Sequence, residues 1–196
     1  MASKTQRKVD LAIDEFVERV NRSRREPLDS RVVPGNLRVG RRPPDAFERV
    51  SWAIVRTPLP CRWVDEFKAK LPSRLPRSYE SFVTRYLFPA FDVGPVTLFA
   101  NTGGGVPEQW ELVNAVFWDQ HLSAPLLAAG LLQFGRPSTG SYDPVCFDLK
   151  ARTNAEECPV VQVDHEAALV RERVKVVSQL APSFLALIEV EEEFRG

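Results

Sequence analysis

Histidine, cysteine and methionine are scarce in this chain: two, three and one among 196 residues. A metal centre built on His121 and His165 would have to draw the rest of its ligands from carboxylates. Cys61, Cys146 and Cys158 are odd in number and lack CxxC spacing, which excludes a disulfide framework and a zinc knuckle. The longest apolar run, LSAPLLAAGLL at 122–132, is well short of the ~20 residues that span a bilayer. The opening MASKTQRKVDLAIDEF has charges but no apolar core of signal-peptide length. A cytoplasmic protein with reduced, buried thiols is expected, without membrane attachment.

Net charge is also missing: 26 Lys and Arg balance 26 Asp and Glu. The balance is uneven. Residues 1–50 carry 12 basic and 8 acidic side chains, a net of +4, and residues 51–196 carry 14 and 18, a net of −4. Neither value announces nucleic acid, which calls for a strongly basic domain. What is plentiful is proline, at sixteen, concentrated in the first half. Prolines in that number imply short elements joined by fixed turns.

Hydrophobic periodicity places the elements. Val9, Ile13, Phe16, Val17 and Val20 predict an amphipathic helix over 4–22. The arginine- and proline-rich Asn21–Asp45 reads as an irregular connection, with a boundary near residue 50 between an N-terminal helix and basic arm (1–50) and an α+β domain (51–196). Two helices follow, one with Trp63, Val64, Phe67 and Leu71 on a face and closed by Pro72, the other with Leu75, Tyr79, Phe82, Val83 and Tyr86. VGPVTLFAN (93–101) reads as a strand, WELVNAVFWDQHLSAPLLAAG as mostly helix, with VNAVFWD equally suited to a strand, and GLLQFGR, DPVCFDL and PVVQVDH as an antiparallel meander. Val177, Leu180, Phe184, Leu187 and Ile188 predict a terminal helix that starts or bends near Pro182. Helices, then a run of strands, then a helix make an α+β fold: a mainly antiparallel central sheet with helices packed against it.

No catalytic signature emerges. NTGGG (101–105) is followed by Pro107 and lacks the GK[ST] of a phosphate loop, so it reads as a turn. His165-Glu166 begins as a zincin motif does, but position 169 is leucine. Asp143 and Asp148, five apart across their strand, face opposite sides and cannot chelate one ion. Asp143 before Pro144 is a turn-former. Cys146, between Val145 and Phe147, reads as an inert core thiol. No cofactor and no metal are expected. The aromatics near the GGG turn, Trp110, Phe117 and Trp118, either cap the sheet or anchor an interface beside Glu108, Glu111 and Asp119.

Three blocks carry a family resemblance. A tryptophan-bearing helix leads into LPRSYESFV; FGRPSTGSYDPVCFDL follows with a D-x-x-x-x-D element; CPVVQVDHEA and LAPSFLALI close the domain. Over about residues 51–190 the chain resembles the SUKH superfamily, in the branch named after a fungal cell-wall synthesis regulator. Trp63, Leu75, Pro76, Tyr79, Phe82, Gly140, Asp143, Asp148, Val160, Val161 and His165 match the pattern. RYLFPAFDVG departs from it, standing where such domains often place an asparagine–glycine pair. The resemblance implies a SUKH-like α+β domain that binds protein without catalysis. Its bacterial members are regarded as immunity proteins against toxins, often nucleases, or as scaffolds. The expected partner is a protein, such as a basic toxin domain steered by the acidic body. Partner-binding candidates are Trp110, Trp118, Asp119, Asp143, Asp148, Asp164, His165 and Glu166. The alternative is a small hydrolase using the Asp143/Asp148/Asp164/His165 region.

Overall fold

The computed structural model describes residues 3–23, 25–40, 43–57, 62–103, 111–117, 119–170 and 173–189. Of Arg62, Trp63, Val64 and Glu66 the main chain alone is described. Cys61, Trp110, Trp118 and the acidic end beyond Glu189 lie outside these residues.

Helix α1 (Lys4–Arg22) begins where the Ser3 hydroxyl accepts the Gln6 N–H, and it buries the five residues its spacing singled out. Those side chains join the main core of the 51–196 segment, Phe16 meeting Phe82 edge-on at 5.8 Å. Polar contacts fix the same face. Asp14 accepts from the Tyr86 hydroxyl at 2.6 Å and from Arg85, and Asp10 accepts from Ser81 at 2.7 Å. Burial pushes the Asp14 carboxyl up, but its hydrogen bonds from Tyr86 and Arg85 outweigh that and hold it below the usual aspartate value. The reciprocal cost falls on the Tyr86 hydroxyl, pushed up to about 12 by burial and by Asp14.

The connection after α1 has more order than its composition suggests. Strand β1 (Leu28–Asp29) pairs with β2 (Arg49–Val50), and Val33, Leu37 and Val50 form a small cluster of their own. Strand β3 (Val55–Arg56) pairs with β4 (Tyr86–Leu87) on the far side of helices α2 (Arg62–Lys70) and α3 (Arg77–Arg85).

The main sheet comprises β5 (Phe91–Val93), β6 (Val96–Leu98), β7 (Leu131–Pro137), β8 (Val145–Asp148), β9 (Val160–Val163) and β10 (Val176–Ala181). All neighbours are antiparallel and lie in chain order. Helices α4 (Glu111–Phe117) and α5 (Gln120–Ala129) interrupt the meander between β6 and β7. Helix α6 (His165–Val170) interrupts it between β9 and β10, and α7 (Phe184–Glu189) ends the described chain. The fold is therefore α+β, an antiparallel sheet with helices packed on it. No described helix is long and apolar enough to cross a membrane.

Strand alternation divides the core. Leu132, Phe134, Val145, Phe147 and Val160 share one cluster with α1, α3 and α7. Leu131, Cys146, Val161 and Val163 share the other with α5 and α6. Tyr79 of α3 sits among Phe134, Phe147 and Phe184, at centroid distances of 5.3, 4.9 and 5.2 Å. At Gly135 the sheet needs glycine, because an added Cβ would stand 2.6 Å from the Thr97 carbonyl oxygen.

Two sequence expectations hold in type but with shorter bounds, for local reasons. The stretch 93–101 is the second half of a hairpin, β5–β6, since Gly94 takes a positive φ of 54° and Pro95 continues the turn. The terminal helix is shorter than its periodicity implies. Val177 and Leu180 belong to β10, and the helix starts beyond Pro182, at Phe184. Paired β-branched residues favour a strand there, and Pro182 ends it.

Candidate functional site

Four of the sequence candidates meet where β9 passes into α6. Asp164 ends the strand and accepts the Ala167 N–H at 2.9 Å, so the segment turns helical at His165 and does not stay extended. Asp164 and Glu166 both sit at the start of α6, Glu166 exposed. Asp143 arrives from the β7–β8 connection. Its Oδ1 accepts the His165 main-chain N–H at 3.2 Å and lies 2.7 Å from His165 Nδ1, while Oδ2 accepts from Gln162 at 2.8 Å. Rather than capping its own turn, Asp143 fastens the start of α6 to the sheet. Lys175, just before β10, stands 3.8 Å from Asp164 and its carbonyl accepts the Asp164 N–H.

The other candidates are elsewhere. Asp148 lies at the opposite end of β8 from Asp143, where it accepts the Lys150 and Ala151 N–H groups and so shapes a 3-10 turn. Asp119 is exposed at the start of α5, its carbonyl accepting from Leu122 and Ser123. Trp110 and Trp118 lie outside the described residues.

Exposed apolar side chains stand on the elements that meet near the Asp143–His165 contact. Of the exposed large hydrophobic side chains, Tyr142 (81% exposed), Leu169, Val170 (78%), Val176 and Val177 belong to the loop before Asp143, to α6 and to β10. The Tyr142 ring is 6.2 Å from that of His165. Sequence reasoning missed these residues. Val177 was placed on a helix face, and the signal that finds it is the β-branched Val174–Val176–Val177 run ending at Pro182.

The two sheet edges are treated differently. At β5, Arg25 donates to the Asp92 carbonyl at 2.8 Å and lies over the Phe91 ring, with Trp52 against the same ring. At β10, Val176 through Gln179 are exposed, none is charged, and the pairing to β9 is broken by two register shifts. Such shifts twist an edge and limit indiscriminate pairing while leaving main-chain groups open.

Chemically the corner offers an imidazole oriented by a carboxylate, half of an acid–base pair. The described cysteines are out of reach: Cys146 and Cys158 are buried, and burial pushes both thiols up. Among the described residues no group of three His, Cys, Asp or Glu side chains is placed to hold a metal ion. Comparison of the chain with family models, curated proteins and solved structures finds no match.

The Asp143 contacts carry a pH signature. Burial raises its carboxyl, but the hydrogen bonds from the His165 ring, Gln162 and the His165 N–H together hold it below the ordinary aspartate value. A carboxylate with a depressed folded pKa adds stability that is present above the unfolded pKa of about 3.9 and lost as pH falls through the folded one. Asp143→Asn is expected to cost about 1 kcal/mol at pH 7. The difference from wild type should shrink in urea denaturation below pH 4; a difference that stays constant with pH would show the charge to be irrelevant.

Proposed function

We propose that this chain is a non-catalytic protein-binding module of the SUKH kind, an immunity-type inhibitor of a toxin or an intracellular scaffold. It acts in the cytoplasm and receives an extended segment of its partner along β10. The observation that carries this reading is the exposure of Val176 and Val177 on β10, a sheet edge left uncovered among the described residues, with exposed Leu169 and Val170 on the preceding α6. Adding a partner strand to an open edge supplies main-chain hydrogen bonds, while alternate side chains read the apolar surface. Exposed Glu166 beside it, and the −4 balance of residues 51–196, favour a basic partner.

Val177→Asp tests it. Both side-chain types are accommodated at an exposed edge position, so stability should change by less than about 1 kcal/mol. Binding of a purified partner, first identified by affinity capture and then reconstituted, should weaken by about 30-fold or more, the size of a hot-spot loss. Unchanged binding by Val177→Asp and by Val176→Asp would remove the edge from the interface. The Asp143–His165 contact is the one feature that favours a small hydrolase. A turnover of chromogenic ester or phosphodiester substrates that disappears in His165→Ala would replace the binding reading.

A further inference from the structure

On the face covered by α1 and α3, beyond the opposite end of β9 from Val176, lies a groove of about 550 Å³. Helices α1, α2 and α3, the 71–76 connection and the β8–β9 connection surround it. Five cations line it: Lys68, Arg74, Arg77, Arg85 and Arg152. Among the described lining residues three are carboxylates, Asp10, Glu80 and Glu156, so this lining carries a net charge of +2 in a chain of net zero.

The pairing locates the excess. Lys68 is held by Glu80, and Arg85 by Asp14 and Asp10. Arg77 takes Glu156 at 2.6 Å. Arg74 reaches that same carboxylate only at 4.0 Å, with its side chain 87% exposed. Arg152 is anchored by the main-chain carbonyls of Leu75, Glu156 and Arg74. Three guanidinium groups thus surround one carboxylate, and Arg74 and Arg152 hold the surplus.

Glu156 is itself held in an unusual way. Its φ is +63°, a region that residues with a Cβ seldom occupy. The Thr153 carbonyl accepts its N–H, and its own carbonyl accepts from Arg77 and Arg152. Backbone strain of this kind is kept where surrounding contacts over-determine it, and here it aims a carboxylate into a cluster of arginines.

We propose that this groove is a binding site for a compact dianion of the phosphate monoester class, gripped by Arg74 and Arg152, with the Glu156 carboxylate occupying the cationic cluster in the free protein. Guanidinium groups bind phosphate through paired N–H donors. One dianion neutralises the +2 surplus in a single ligand, whereas each carboxylate of an acidic peptide brings one charge. The site shares no side chain with the β10 edge, so either reading stands without the other.

Calorimetric titration of the full chain with inorganic phosphate and with phenyl phosphate at low ionic strength tests it. Both are expected to bind saturably and with similar affinity, which identifies the dianionic head as the recognised group. Arg74→Ala, on an exposed side chain and therefore neutral for folding, should weaken binding about tenfold. Glu156→Gly removes both the competing carboxylate and the left-handed strain, and should tighten it several-fold. The proposal is overturned by an absence of saturable phosphate binding, by an Arg74→Ala affinity equal to wild type, or by tetraglutamate binding more tightly than phosphate. That last result would assign the groove to an acidic peptide.

Discussion

Phe134→Ala is expected to cost about 4 kcal/mol, in the range of buried phenylalanine truncations. Phe134 has no solvent exposure and stacks on Phe147 at 3.9 Å with the rings 11° from parallel. Tyr79 lies against it at 5.3 Å and Phe184 meets it edge-on at 6.3 Å. Its ring neighbours come from β8, α3 and α7, so three elements of this face abut the vacated volume. Rigid rings on a hydrogen-bonded sheet cannot collapse into it, and the residual cavity adds to the lost transfer energy. Phe47→Ala is the control, since Phe47 is 75% exposed and should change stability by about 0.5 kcal/mol or less. Urea unfolding reads both: the Phe134 midpoint should fall with an unchanged slope. In a chain of this size the melting temperature should drop by roughly 10 °C. Equal effects of the two substitutions would mean that the aromatic cluster is not the core.

Where amphipathic spacing was long and regular, the elements were legible. Val9 through Val20 found α1, Leu75 through Tyr86 found α3, and the β7–β9 meander followed from short apolar runs between turn residues. Short and exposed elements were not. Strand β6 was legible within VGPVTLFAN, but the three-residue β5 is too brief for alternation to register, and β10 exposes most of its side chains, so the inward pattern that marks a strand is absent. The site was half legible. Asp143, Asp164, His165 and Glu166 stood out as residue types, but the 22-residue span from Asp143 to His165 closes only through the register of β8 on β9. Long-range capping was invisible for the same reason, and its strongest instance involves Glu157, a residue that nothing in the sequence pattern singled out.

Glu157→Ala is expected to destabilise the protein by about 2–3 kcal/mol, because this carboxylate caps a helix from 79 residues away. Helix α3 begins after Pro76, which has no side chain to accept the free N–H groups of the first turn. Glu157 substitutes for the missing cap. It accepts the Ser78 N–H at 2.9 Å and the Ser78 hydroxyl at 2.7 Å, and Ser78 is fully buried. The adjacent Glu156 carbonyl accepts the Arg77 N–H at 2.9 Å, so the β8–β9 connection takes the first two N–H groups of the helix. Alanine leaves two buried donors unsatisfied; glutamine keeps the shape and an acceptor oxygen, and should cost about 1 kcal/mol or less. The pH dependence separates the two explanations of that difference. Burial pushes the Glu157 carboxyl up, and the Ser78 hydrogen bonds and Arg77 only partly offset it, leaving it above the ordinary glutamate value. The folded protein then binds more protons than the unfolded chain between the two pKa values, so stability falls as pH rises through that interval. Glu157→Gln abolishes this fall, and the variant should gain on wild type between pH 4 and neutrality. If wild type and Glu157→Gln lose stability in parallel over that interval, the buried carboxylate is not the titrating group, and the cap acts through shape alone.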